Sequence, residues 1–556
     1  MREDVRPQYA LAVISDAHFH EIEGDYGIAG IEAGNRRLTL QTWAHSREST
    51  RVYNESAPAL TAALDEVAAR GVRHVVLLGD YTDDGQRETT HRLAQRLSDY
   101  ESRFGTRFYA LPGNHDLFGP SGRHQSRYFL RPDGSSIRVT SDDRDPPADS
   151  VVSAAMFCEG YPDGLVPMGR HGYFRRPDDL FWETPFGADD RPERRTYEVA
   201  SEDGLNRYRL MDASYLVEPE PGLWLLMLDA NVFEPRNGTF HPGSKRAFID
   251  STAAGWNAVL RLKPFLLDWI RDVTKRAKAS GKTLLAFSHY PAIDPLEDQE
   301  GFEQTLFPSS PVNVRRPRTD VAEALMAAGL SLHFSGHWHV DGISEHRIGG
   351  DMLTNIAVPS LVAFPPAFKL VTAEAGRVTV TSVDLSQLPL DQDILDLYRL
   401  EVRANGLSCD EALSASEYGS FLRHHLRALV VHRYFPREWP KDVVDTISSM
   451  SLADLCSDPR TATPSKEKAI PDAWRDLPVI DLIADWYCLR QAGTLGKRLI
   501  GPQALDRMRA IATGFVDTQD GAEREAIAAY LKIFFRSMLF YVERAERLSE
   551  SNRFEL

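Results

Sequence analysis

Cysteine is scarce in this 556-residue chain. The four residues, Cys158, Cys409, Cys456 and Cys488, stand far apart with no CxxC spacing. That excludes a thiolate zinc finger and argues against a disulfide framework, leaving them as small apolar residues. Long apolar runs are also missing: none reaches the roughly 18 residues that a membrane-spanning helix needs. Positive charge is in deficit, with 64 Lys and Arg against 80 Asp and Glu and a formal net charge of −16. A bulk nucleic-acid binder would carry a basic footprint instead. No internal repeat or heptad run occurs, and the opening MREDVRPQYALAVIS has no apolar leader segment. The sequence therefore reads as a cytoplasmic globular chain. Hydrophobic content of 42% and charged content of 26% are ordinary for that class. The length exceeds what one core usually supports, which predicts two domains or one heavily decorated domain.

What the chain does have is five short motifs in a fixed order. They are Asp16-Ala17-His18, Gly79-Asp80, Gly113-Asn114-His115-Asp116, Ser288-His289-Tyr290-Pro291 and Gly336-His337-Trp338-His339. Four follow a short apolar run (LAVIS, VVLLG, TLLAFS and LSLHFSG), and the fifth follows the weaker FYALPG. Such runs broken by Gly or Pro read as buried strands. In open α/β sheets ligands gather at the carboxyl ends of strands, so the five tips can converge. Asp, Asn and His supply hard oxygen and borderline imidazole donors, a set suited to zinc, manganese, iron or cobalt. Seven donors are too many for one tetrahedral ion but suit two ions that share a carboxylate, roughly 3.5–4 Å apart. Two such ions would dominate the local field, so the acidic net charge does not exclude an anionic substrate.

The set resembles the calcineurin-like metallophosphoesterase superfamily, whose motifs run DxH, GD, GNH(D/E), H and GHxH. The resemblance spans roughly residues 10–385. It implies a four-layer αββα sandwich and a centre of two divalent or mixed-valence transition ions (Mn, Fe or Zn). It also implies that Asp16, His18 and His339 hold one ion, that Asn114, His289 and His337 hold the other, and that Asp80 bridges them. His115 then faces the substrate as a catalytic group, with Asp116 as the partner expected to orient its ring. The implied activity is hydrolysis of a small phosphoester through a water acidified between the ions. The motif context is most similar to bacterial phosphodiesterases, including types acting on nucleotide-like esters. A phosphomonoesterase or pyrophosphatase on the same site is the alternative, and a silent binding scaffold is a third reading. Purple acid phosphatases carry Tyr three residues after the bridging Asp, where this chain has Asp83.

Other candidates have plainer readings. His20 begins a loop, His333 lies inside an apolar run, and His346 has no assigned role. His424 and His425 face different directions on one helix, and Asp229 ends a strand outside the motifs. Helices are expected at about 56–70, 86–103, 258–279 and 319–328 around the motif-bearing strands. Residues 117–220 are rich in Pro, Asp, Arg and Ser, which is loop chemistry. Its arginine- and aromatic-rich part, about Gly119 to Arg195, leaves directly from the GNHD tip and is expected to select the substrate; an ordered decoration covering the sheet edge is the alternative. Beyond about residue 388 the periodicity becomes helical. That divides the chain into a phosphoesterase domain at 1–388 and a helical C-terminal domain at 389–556, the latter expected to lie away from the site.

Overall fold

A computed structural model describes residues 8–144, 146–241, 244–374, 376–407, 410–461, 470–517 and 526–555. Cys409 and most of the TATPSKEKAIP stretch lie outside the described residues. The fully apolar runs do form strands buried on both faces. Tyr9–Ile14, His74–Leu78 and Arg107–Leu111 lie side by side and parallel, with Ile14 opposite Leu77 and Leu78 opposite Leu111. Parallel strands need crossovers, supplied here by the helices Ser56–Ala69 and Arg87–Phe104. The antiparallel strands Ala367–Glu374, Arg377–Asp384 and Ser551–Glu555 complete this six-stranded sheet.

The second sheet has seven strands. Its centre is the parallel set Leu223–Leu228, Thr283–Ser288, Leu332–Ser335 and Asp351–Ala357. Gly342–Ile348 closes one edge, and Tyr215–Glu220 and Phe181–Glu183 close the other. Alternate residues of Leu223–Leu228 serve two cores, as a pleated strand with period two must. Leu223, Leu225 and Met227 pack in the large cluster that also takes in the first sheet. Trp224, Leu226 and Leu228 pack with Trp256, Leu266 and Ile270 of the outer helices. The layers are thus helix, sheet, sheet, helix, the expected αββα sandwich.

Two expectations need correction. The single helix expected at 258–279 is two, Ser251–Leu262 and Phe265–Ala279. Pro264 disfavours helix at the residue before it. Lys263 turns inward there, fully buried, and its Nζ donates to Asp212 (2.8 Å) and to the Asp229 carbonyl (2.7 Å). The stretch 117–220 is not mainly loop. It holds a small sheet (Ser126–Leu130, Ser136–Thr140, Ser150–Val152) and the hairpin Thr196–Ala200 with Arg207–Met211. Its strand Phe181–Glu183 covers the edge of the second sheet.

The C-terminal region is helical, from Gln392–Ala404 through Val479–Ala492 to Ala526–Arg547. Its Tyr398, Phe421, Trp486 and Phe534 belong to the same continuous apolar cluster as the first sheet. Among the described residues, no helix is long and apolar enough to cross a membrane.

Candidate metal centre

All five motifs lie just past the carboxyl ends of parallel strands. Asp16 and Asp80 stand two residues beyond Ile14 and Leu78, Asn114 three beyond Leu111, His289 one beyond Ser288, and His337 two beyond Ser335. Backbone hydrogen bonds fasten the tips together: Asp16 N–H to Gly79 O (3.1 Å), His18 N–H to Asp80 O (2.8 Å) and Gly336 N–H to His289 O (2.8 Å). The approach is so close that a Cβ on Gly113 would overlap the Asp80 carboxylate, and one on Gly336 the Ser15 hydroxyl. The backbone itself is unusual here. Among the described residues six non-glycines have positive φ, and five are Asp16 (48°), His18 (40°), Asp80 (48°), His337 (71°) and His339 (54°). Such conformations persist only where the surroundings over-determine them, and they cluster at functional sites.

The side chains converge in two groups, Asp16 with His18 and His339, and Asp80 with His289 and His337. In the first, His18 Nε2 lies 3.1 Å from His339 Nε2, and Asp16 Oδ1 lies 3.4 Å from His339 Nε2. In the second, Asp80 Oδ2 lies 3.3 Å from His289 Nε2. The same Oδ2 is 3.8 Å from His18 Nε2, so Asp80 stands between the groups. Ring orientation is set from behind. His289 Nδ1–H donates to Leu78 O (3.0 Å) and His337 Nε2–H to Thr252 O (3.0 Å), each leaving the other nitrogen's lone pair turned inward. Asp16 Oδ1, Asn114 Oδ1 and His289 Nε2 are buried without a hydrogen-bond partner. Orphaned acceptors of this kind, drawn from imidazole, carboxylate and carboxamide, fit borderline or hard transition ions. The electrostatics agree. Burial opposes protonation of His289, yet Asp80 and Asp16 raise it to about 9, so the cluster attracts positive charge.

His115 lines the cavity over these groups, edge-on to His18 with centroids 5.0 Å apart. Its Nδ1 meets Asp84 Oδ1 at 2.8 Å, and Arg51 Nη2 stands 3.3 Å from the same nitrogen. Burial and Arg51 depress the ring to about 4. Asp116 is therefore not the partner that orients His115. It faces back into its own turn and accepts from Gly113 N–H (2.9 Å), Thr82 N–H (2.9 Å) and the Thr82 hydroxyl (2.7 Å). Burial and the nearby Asp80 raise it to about 7. Asp116 braces the GNHD turn against the GD loop, because consecutive residues of a tight turn point in opposite directions. Asp84, which sequence reasoning missed, sits in the acidic run Asp83-Asp84 just after the GD motif. Asp83 holds Arg51 (2.8 Å), and Arg127 pairs with Asp84.

The remaining histidines lie elsewhere. His20 bonds Thr39 O and Tyr26, and His333 bonds Ser288 and Asn355. His425 bonds Ser46 O, His424 pairs with Glu411, and His346 lies in the edge strand Gly342–Ile348. Asp229 is part of the buried Lys263 cluster.

The cavity measures about 550 Å³. Its walls differ from expectation: the insert at 119–195 supplies Arg127 alone, while the C-terminal helices supply Arg433, Tyr434, Arg437, Glu438, Tyr487, Arg490 and Gln491.

Residues 9–220 match the family model of the calcineurin-like phosphoesterases. That match takes in the Asp16, Asp80 and Asn114 motifs and covers less than half of the chain, which over that stretch is similar to the family. No curated protein matches the sequence. Among solved structures, a dimetal phosphatase from Danio rerio aligns at 15% identity over 68% of this chain and 97% of its own, with a TM-score of 0.36. A phosphopantetheinyl hydrolase from Mycobacterium tuberculosis aligns at 12% identity over 63% and 89%, with a TM-score of 0.22. At those scores neither bears on substrate. The family uses a dinuclear metal centre, and this chain has two candidate ligand groups.

Proposed function

We propose that this chain is a phosphoesterase that hydrolyses phosphodiesters at a two-ion centre. The observation that carries this reading is Asp80, whose Oδ2 lies within 4 Å of an imidazole from each group. Asp16, His18 and His339 would hold one ion, and Asn114, His289 and His337 the other, with Asp80 serving both. Bound there, two ions supply Lewis acidity and a nucleophile available near neutral pH. The chain's own residues do the rest. Leu78 O and Thr252 O fix the ligand imidazoles. Asp84 holds His115 Nδ1 and leaves Nε2 turned to the cavity; the imidazolium form, which an anionic substrate would favour against the burial that depresses the ring, would meet the transferring phosphoryl group or hand its Nε2 proton to the departing alkoxide. The strand-tip loops surround the groups on the sheet side, so substrate enters from the cavity.

The test combines elemental analysis with a panel of bis-p-nitrophenyl phosphate, p-nitrophenyl phosphate and cyclic nucleotides. Two ions per chain and faster turnover of the diesters are expected. Preference for p-nitrophenyl phosphate would move the assignment to a monoesterase. A metal-loaded protein inert on the whole panel would favour the scaffold reading.

A further inference from the structure

The cations of the cavity fall into two sets. Arg51, Arg127 and Arg490 are already neutralised: the first two by Asp83 and Asp84, and Arg490 by a two-pronged bond to Glu303 (2.6 and 2.9 Å). Arg315, Arg433 and Arg437 are not. Arg433 Nη1 donates to a backbone carbonyl, Glu48 O, at 2.9 Å. Among the described residues, the side chains of Arg315 and Arg437 make no hydrogen bond and no ion pair. Arg315 is half-buried beside Thr252, whose carbonyl also fixes His337.

Burial pulls the Arg315 guanidinium below its ordinary value, and Arg433 adds to the pull against the attraction of Asp250 and Asp80. Four carboxylates line the same space: Asp80 belongs to the ion groups, Glu303 is taken by Arg490, Glu48 is exposed, and burial raises Glu438 towards its neutral form. A half-buried guanidinium without a partner is costly, and the cost is relieved when a ligand supplies the anion. The planar fork of arginine matches phosphate oxygens two at a time. Arg315 comes from the segment after the His289 strand, whereas Arg433 and Arg437 come from the C-terminal helices. The three therefore converge on one cavity from separate parts of the chain.

We propose that Arg315, Arg433 and Arg437 form a second anion subsite, and that the preferred substrate is a phosphoester whose alcohol portion carries a further phosphate. This rests on the hydrolytic reading above, because the first phosphate is taken to sit at the ion groups. The C-terminal helices are then the specificity element, in place of the insert.

Non-hydrolysable phosphonates separate the subsite from the chemistry. Calorimetry on the manganese-loaded protein would compare butylphosphonate and octylphosphonate with the matching α,ω-bisphosphonates. At one or both chain lengths the bisphosphonate should bind roughly 10- to 100-fold tighter, the worth of one or two charge-assisted hydrogen bonds. The Arg433→Gln/Arg437→Gln double variant should bring that ratio near one, and Arg315→Gln should lower it while Arg315→Lys retains part of it. Equal binding of mono- and bisphosphonates by the wild-type protein at both lengths would overturn the subsite, as would a ratio unchanged in the double variant. If a variant does not fold, the wild-type comparison alone still decides. Hydrolysis of bis-p-nitrophenyl phosphate, followed in parallel, tests the hydrolytic reading separately, because it needs no second phosphate.

Discussion

Asp341 is a point at which the C-terminal helices grip the candidate metal centre, and its removal gives a graded test. It lies two residues past His339, fully buried, and accepts from Lys369 Nζ, from the Thr494 hydroxyl and from Leu495 N–H (3.2 Å). Its own N–H donates to Gln491 O at 2.9 Å. In Asp341→Ala the Lys369 ammonium would stay buried with Ser382 Oγ (2.7 Å) as its remaining partner. Breaking a buried pair from one side costs about 3–5 kcal/mol, whereas replacing both partners with apolar residues is often close to neutral. The expected series in urea unfolding is therefore a loss of about 3–5 kcal/mol for Asp341→Ala. Lys369→Met should lose a similar amount, and Asp341→Leu/Lys369→Met clearly less than the sum. Retention of one of two bound ions should also weaken by about tenfold or more, because the His339 turn loses its anchor. A loss below about 1 kcal/mol for Asp341→Ala, or strict additivity in the double variant, would refute the reasoning.

Asp80→Ala should release both ions, since its Oδ2 faces His18 and His289 alike; two ions found by elemental analysis would end the bridging assignment. His115→Ala should keep its metal while turnover of an alkyl phosphodiester falls roughly 10²-fold. The loss should shrink for a p-nitrophenolate leaving group, and equal losses would indicate charge stabilisation instead of proton transfer. Acid should weaken the fold well before carboxylates titrate. Burial holds His333 and His425 near 4, against 6.5 for an exposed ring. The unfolded chain thus binds more protons between those values, and stability present above about pH 6.5 is lost as pH falls towards 4. An unfolding midpoint that stays flat from pH 7 to 5 would contradict this.

The strands and their tips were legible because burial on both faces forces continuous apolar runs, and because each donor sits one to three residues past such a run. The helix break at Lys263 was partly legible in Pro264, but the acidic partners that bury the lysine lie 51 and 34 residues away along the chain. The pairing of His115 was misread because adjacency suggested Asp116. A turn sends neighbours apart, and the true partner comes from another strand tip. The cavity wall was misassigned for a related reason. Proximity along the chain pointed to the insert, whereas Arg433 and Arg437 arrive through tertiary packing, which no local pattern encodes. Nothing in the helical periodicity after residue 388 revealed that Gln491 and Thr494 would seat the loop carrying His339.

The left-handed backbone at Asp16, His18, Asp80, His337 and His339 has an evolutionary corollary. Each such non-glycine residue costs on the order of 1–3 kcal/mol, so these positions burden the fold whenever no ion repays them. Glycine or asparagine at His18 or His339 would ease that burden while deleting a donor. A population selected for heat resistance alone would be expected to drift towards those replacements, becoming sturdier and inert together. Stabilised descendants of this chain should therefore be screened for bound metal before any gain in melting temperature is counted as an improvement.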